Sequence, residues 1–419
     1  MGSLHHKRAV AAASTVALAV SASGVLAGGF AVREQSASLM GAAFAGAAAG
    51  GDLSSAFWNP AAFGTAGAGI NTQSSYTLLL PESTLSNGAT SVDTALGNVP
   101  FPVGGASSTD IDKVGFLSSS AASYRLDAQT VFGITLSSPF GLATEPSDLN
   151  WTGRIHSREA EMLTLNVSPT VAYEVMPGVQ IAAGLQIEYM RLKLWSAAGP
   201  ALGAPSASIK VEDTASFGVT AGLLLHPFNG TNVGVGFRSS IAHHLDGKFN
   251  LPTGVALPVD AKVQTPEMIT ASISQAVMPG LRVLGSVEWT NWSRVNRVPV
   301  NGTPFVIDAH WDDGWFFSGG LEYDYSPVLT LRAGGAFEKS PIQDPSQRLS
   351  QLPDSDRVWA TVGASYRYSD STVFDLSYAH IFFDDAHLHR GALSNPALIL
   401  DADVSTDANI VSVGMRTHW

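Results

Sequence analysis

From residue 69 to the C-terminus the chain repeats a two-residue rhythm, and few folds accept that rhythm over such a length. Across 358–368, Val358, Ala360, Val362, Ala364, Tyr366 and Tyr368 fall on one face of an extended segment, and Trp359, Thr361, Gly363, Ser365 and Arg367 fall on the other. Side chains alternate sides along a strand, so one face is apolar and the other mainly polar or small. The pattern recurs at 163–174 and 179–189. It recurs again at the end, where Val411, Val413, Met415 and Trp419 oppose Ser412, Gly414, Arg416 and His418. These segments exceed the length of about five or six residues usual for strands of a soluble sandwich.

The connections carry a second rhythm. Short breaks at Leu126-Asp127, Met176-Pro177-Gly178, 227–230, Met278-Pro279-Gly280, Ser326-Pro327 and Ser369-Asp370 supply residues that reverse a chain quickly. They alternate with longer links near 81–112, 141–157, 196–206, 246–262, 296–313, 340–356 and 385–407. Short turns at one end and long loops at the other are the layout of an outer-membrane barrel, and counting segments gives about fourteen strands, an even number. Closure leaves no unpaired backbone in lipid. An aromatic residue ending the last strand, here Trp419, is the usual signal to the barrel-assembly machinery.

Composition agrees. Charged residues are 14 %, against roughly 25 % in soluble domains. No apolar run outside the N-terminus is long enough for a spanning helix, so a helical membrane protein is disfavoured. The competing class is a secreted all-β protein. The absence of cysteine excludes disulfides, thiolate metal sites and a cysteine nucleophile. A net charge of −12 argues against a nucleic-acid partner.

Residues 1–27 read as a secretory signal peptide: His5, His6, Lys7 and Arg8 form a basic start, 9–20 the apolar core, and Val25-Leu26-Ala27 the cleavage site. The next segment, 28–68, lacks the alternation. It is rich in Ala and Gly, and it reads as a plug for the bore, because small residues let backbones pack closely and a disordered tail would carry more charge. The barrel then occupies 69–419.

Gly29-Phe30-Ala31-Val32-Arg33-Glu34-Gln35-Ser36, then Gly41-x-x-Phe44-Ala45-Gly46, Asp52 and Trp58-Asn59-Pro60-Ala61 resemble the start of the FadL family. These are outer-membrane transporters of long-chain fatty acids, with relatives that take up toluene and other aromatic hydrocarbons. The resemblance continues through 138–145, 288–293 and 353–359, in order along the chain. It implies a fourteen-strand barrel stopped by an N-terminal hatch, in the outer membrane of a Gram-negative bacterium, in contact with lipopolysaccharide and membrane lipid, and monomeric. It also implies capture of a hydrophobic ligand by an apolar groove in the outer loops, transfer to a tighter pocket formed partly by the first mature residues, and exit through rearrangement of the N-terminus and a lateral opening at a kinked strand. By position Phe30 is the pocket candidate, and Asn59, Pro60 and Ala61 match the hatch motif. The break at Pro139-Phe140-Gly141 falls near the outer end of the third strand.

A fatty-acid carboxylate calls for a cation or hydrogen-bond donors. Arg282, Arg367 and Arg416 are inward candidates; Arg154, His156 and Arg158 are candidates near the loops. No nucleotide-binding loop is present, so passage is expected to be passive, with no cofactor. His243-His244, His387-x-His389, Asp312-Asp313 and Asp384-Asp385 are read as solvated or rim groups rather than metal ligands. Trp289, Trp292, Trp311 and Trp315 are read as an interfacial aromatic belt, with one or two able to line a ligand groove. A barrel hydrolase and a general porin are the remaining alternatives. The first lacks a recognisable nucleophile motif, and the hatch opposes the second.

Overall fold

The computed structural model describes residues 28–94, 97–101 and 103–419; the leader read at 1–27 lies outside them. Fourteen antiparallel strands close into a barrel. In chain order they are β1 (Ile70–Thr94), β2 (Thr109–Asp110 and Gly115–Arg125), β3 (Thr130–Ser137 and Gly141–Thr144), β4 (Glu159–Met176), β5 (Val179–Ala197), β6 (Ser206–Phe228) and β7 (Thr231–Arg238 and Ile241–Asn250). The second half comprises β8 (Ala256–Thr265 and Met268–Met278), β9 (Leu281–Thr290), β10 (Gly314–Ser326), β11 (Leu329–Lys339), β12 (Arg357–Ser369), β13 (Thr372–Phe383) and β14 (Asn395–His418). Closure pairs β1 with β14, placing Tyr76 opposite Val413 and Leu78 opposite Val411.

The period of two builds the wall directly. On β12, Val358, Val362 and Tyr366 are exposed on the lipid side, while Trp359, Thr361 and Ser365 are buried toward the lumen. Strands run further outward than the sequence rhythm indicates. Residues 81–92 pair with 398–408, and 246–250 pair with 256–260. The long links expected there are therefore largely strand. Beyond the lipid neither face is forced to be apolar, so the alternation fades while the ladder continues.

Residues 28–66 fill the lumen. Ser36 caps the single helical turn Ala37–Met40 by accepting from the Leu39 amide at 3.2 Å. Asn59 begins the 3₁₀ segment Pro60–Thr65, accepting from the Ala61 amide at 3.1 Å. Its side-chain NH₂ donates to the carbonyls of Ala48, within the hatch, and Leu223, on β6. The hatch sits on glycines of the inner wall. A Cβ at Gly334 would lie 2.3 Å from the Ala42 carbonyl carbon, and one at Gly222 would lie 2.0 Å from Asn59 Oδ1. Small residues in plug and wall thus let backbone meet backbone, which is the reason for the Ala and Gly richness seen in the sequence.

This seam is testable at Gly363, where a Cβ would fall 2.7 Å from the Gly41 Cα. Gly363→Val is expected to destabilise hatch docking by about 1–3 kcal/mol through overpacking, with the barrel intact. Limited proteolysis should cut within 28–66 faster while the barrel keeps its resistance; an unchanged hatch cleavage rate would refute this seating.

β3 breaks at Ser138-Pro139-Phe140, where the sequence places the break. Past Ser137 its outer piece pairs only with β4. The hatch takes over the vacated hydrogen bonds: Val32 N–H donates to Pro139 O at 2.8 Å, Gly141 N–H to Phe30 O at 2.9 Å, and Gln35 Nε2 to Ser138 O at 2.8 Å. The interrupted strand and the start of the hatch are therefore one bonded unit, and it fixes Phe30.

Candidate functional site: an apolar chamber above the hatch

Phe30 closes the lower end of a chamber between the hatch and the outer loops. Its ring packs edge-on against Trp292 at 4.6 Å and Phe140 at 5.7 Å, with Trp311 also at 5.7 Å. Leu142, Met162, Leu192, Val263, Val298, Leu349 and Leu352 continue the lining. The cavity measures about 500 Å³. A larger groove of about 890 Å³ lies on the outside of the barrel between lipid-facing Tyr124, Phe132, Ile134, Val171 and Leu185. Membrane acyl chains fill such a surface, so the inner chamber is the candidate site.

Beneath Phe30 lies a buried charge cluster. Arg33 pairs with Glu288 at 2.9 Å and Glu338 at 3.5 Å, and its guanidinium lies 3.7 Å from the Phe316 ring centroid. Arg357 pairs with Asp354 at 2.5 Å and with Glu338 at 3.5 Å. The same carboxylates accept from the start of the hatch: Gly28 N–H reaches Glu338 at 3.3 Å and Gly29 N–H reaches Asp354 at 2.9 Å. The apolar floor is thus held from below by ion pairs that water does not reach.

The site residues expected from sequence divide between four places. Phe30 and His156 both line the chamber. Arg282, Arg367 and Arg416 line a separate polar space of about 480 Å³ at the short-turn end, on the other side of the hatch. Two of these hold carboxylates there: Arg282 meets Glu322 at 2.6 Å and Asp324 at 2.9 Å, and Arg416 meets Asp375 at 2.7 Å and hatch residue Asp52 at 3.6 Å. Arg154 and Arg158 are bound within the loops. Arg154 donates to the carbonyls of Val103, Gly104 and Trp151; Arg158 donates to those of Leu149 and Ala204 and to Ser206 Oγ. Asn59, Pro60 and Ala61 lie in the hatch, buried against the barrel wall.

One expectation is divided by the structure and one needs correction. Trp289 and Trp315 face outward as cross-strand partners at the rim, and Trp292 and Trp311 are the two of the four that are buried beside Phe30. Their motif follows β9 on a 3₁₀ turn, Trp292–Arg294, that folds back over the lumen and so changes face. His243 is not a rim residue. It is fully buried between Glu188 at 3.1 Å and Asp213 at 3.0 Å, because its position on β7 points inward. His387 and His389 pair with Asp403 and Asp401 on the outer extension. Among the described residues no group of three potential ligands is arranged to hold a metal.

His156 sits in the loop before β4, and its Nε2 lies 3.0 Å from Leu398 O. Burial pushes its imidazole down to about 4, against the partial support of that carbonyl. Below the ordinary value of 6.5 the unfolded chain takes up a proton that the folded loop refuses until about 4, so loop stability falls as pH drops through that window and is level above it. Hydrogen exchange of 149–158, corrected for intrinsic rates, should therefore show readier opening at about pH 5 than at about pH 7.5. His156→Gln should remove the difference, and a pH-independent parent loop would contradict the assignment.

Residues 18–419 match the family described as "Outer membrane protein transport protein (OMPP1/FadL/TodX)". The chain is 25% identical over 301 residues to a long-chain fatty acid transport protein of Escherichia coli O6:H1, covering 61% of this chain and 67% of that one. Its fold is similar to a crystal structure of a Pseudomonas aeruginosa FadL homologue, with a TM-score of 0.84 at 19% identity over 93% of this chain and 99% of that one. It is also similar to the Pseudomonas putida toluene transporter TodX, with a TM-score of 0.62 at 14% identity over 87% of this chain and 94% of that one. With a closed fourteen-strand wall, a hatch in its lumen and a match running through the barrel to its last residue, the chain belongs to the OMPP1/FadL/TodX family of outer-membrane transport proteins, which carry hydrophobic compounds.

Proposed function

We propose that this protein passes long-chain fatty acids or similar elongated hydrophobic molecules across the outer membrane, capturing them through the outer loops and holding them in the Phe30 chamber under control of the N-terminal hatch. The observation that carries this reading is the size and lining of the chamber. At roughly 30 Å³ for a methylene-sized group, the volume share of a water molecule, the cavity of about 500 Å³ accepts a chain of roughly sixteen carbons. A monoaromatic ring would leave more than half of it empty. An apolar path removes the hydration cost that a water-filled pore would impose, about 0.8 kcal/mol for each methylene buried.

Passage is passive in this reading, and direction comes from consumption of the ligand downstream. Trp419, exposed just after β14, is read as the contact for assembly into the membrane. The test is equilibrium binding of radiolabelled oleate and of toluene to the protein purified in nonionic detergent. Saturable oleate binding supports the proposal. Toluene binding without oleate binding replaces it with the aromatic-hydrocarbon alternative, and permeation of sugars into liposomes would favour a general pore.

A further inference from the structure

Above the lipid band, the outside of the wall carries lysines in one line across three neighbouring strands. Lys193 on β5 stands directly opposite Lys210 on β6, and Lys210 stands directly opposite Lys248 on β7. All three point away from the lumen, because the inward phase of these strands belongs to Leu192, Ile209 and Leu245. Neighbouring strands lie about 4.8 Å apart, so the three stems leave the sheet within about 10 Å. Like charges directly opposite one another work against a sheet, and here two such pairs share Lys210. Among the described residues only Lys193 of the three holds a carboxylate, Glu161 at 2.9 Å; Lys210 and Lys248 make no ion pair or side-chain hydrogen bond. The carboxylates two residues inward on the same face, Glu212 and Asp246, stand opposite each other in a row of their own, and Glu212 accepts from Tyr189 Oη at 2.9 Å. The Trp195 ring steadies the lysine row: Lys210 Nζ lies 5.0 Å from its centroid and Lys193 Nζ 5.9 Å.

The height of the row decides which anion meets it. Phe217 faces the lipid on β6, and Lys210 lies seven residues further out on the same strand. At about 3.3 Å per residue and a tilt of about 40°, that is roughly 18 Å above the Phe217 ring. Acyl chains end below this level, and the material against the outside of an outer-membrane barrel here is the sugar-phosphate layer of the outer-leaflet glycolipid. We propose that Lys193, Lys210 and Lys248 form a binding site for phosphate groups of that glycolipid, lipopolysaccharide. A phosphate between the ammonium groups accepts charge-assisted hydrogen bonds and replaces their mutual repulsion by attraction. Leu192, beside Lys193 on the other face of β5, lines the chamber, so glycolipid held here braces the chamber wall from outside. The inference does not depend on which hydrophobic compound the chamber holds.

The test titrates three probes against the delipidated full chain in nonionic detergent without divalent cations: rough lipopolysaccharide with a phosphorylated inner core, the same material dephosphorylated, and inorganic phosphate. The parent should bind the phosphorylated glycolipid at least about tenfold more tightly than the dephosphorylated one, and the preference should shrink as salt rises from about 0.05 to about 0.5 M. Lys210→Gln with Lys248→Gln should weaken the phosphorylated form about tenfold and leave the dephosphorylated form unchanged. Lys339→Gln, which removes an exposed lysine at the outer end of β11, should change neither. Equal parental affinity for the two glycolipids, or an equal loss in Lys339→Gln, would overturn the site. Displacement of the glycolipid by inorganic phosphate at a few millimolar would overturn the glycolipid as its occupant and leave a free-phosphate site. Lys210 and Lys248 are exposed, so their variant is expected to fold, and parental resistance of its barrel to SDS checks this.

Discussion

Phe30→Asp is expected to weaken oleate binding by at least about a hundredfold, or about 2.8 kcal/mol at 1.4 kcal/mol per factor of ten, while the barrel remains folded. The ring is 5% exposed and forms the inner wall of the chamber beside Trp292, Phe140 and Trp311. A carboxylate in its place would stand among the rings of Trp292, Phe140 and Trp311, which cannot solvate it. It either recruits water into the cavity or takes up a proton, and both outcomes remove the apolar contact that an alkyl tail would make. The main-chain bonds at this position, with Gly141 N–H donating to Phe30 O, do not depend on the side chain, so the hatch has reason to stay seated. Phe30→Leu keeps the apolar surface and should bind within a few-fold of the parent. Titration of radiolabelled oleate against the variants in detergent reads the difference, and the retained resistance of the barrel to SDS at room temperature reports its folding. Parental affinity in the Asp variant would place the ligand elsewhere.

The wall of this protein is legible in its sequence because lipid outside and a packed lumen inside force side chains to alternate over each strand. Val358 and Trp359 are adjacent and end on opposite sides for that reason alone. The hatch is legible for a different reason: its run of Ala and Gly makes sense only where backbones approach, as Gly41 and Gly363 do. The chamber is less visible, since its walls come from loops and hairpins whose partners are set by tertiary folding. Trp292 lies two residues beyond β9 and turns inward on a 3₁₀ turn, which no period of two describes. Arg154 has the charge a fatty acid requires but donates to loop carbonyls. His243 gives the same lesson in reverse: its burial between Glu188 and Asp213 depends on the inward phase of β7, set by ladder register rather than by neighbouring residues.

Arg357→Met is expected to release the first residues of the hatch, raising the opening of 28–35 by about 3–5 kcal/mol, the range for breaking one side of a buried ion pair. Arg357 is the cation between Glu338 and Asp354, and those carboxylates also hold the amides of Gly28 and Gly29. Without it, Glu338 retains Arg33 at 3.5 Å, whereas the donors left on the Asp354 carboxylate among the described residues are neutral, Ser340 Oγ and the Gly29 amide, with Arg348 a weaker cation nearby. Burial already pushes the Asp354 carboxyl up, with Arg357 as the main influence holding it down. Its loss would drive Asp354 toward the protonated form, which accepts less strongly from the Gly29 amide. Arg357→Met with Asp354→Asn removes the charge on both sides and leaves an oxygen for Gly29, so the double variant should recover most of the protection. Hydrogen exchange at 28–35 measures each state, and a single variant that exchanges like the parent would show that the ion pairs do not anchor the hatch. The comparison with Phe30→Asp then separates two contributions to capture. That substitution should weaken binding by its full hundredfold or more with 28–35 still protected, whereas Arg357→Met should weaken binding only in proportion to the time the floor spends open, because an intact Phe30 still completes the chamber whenever the hatch is seated.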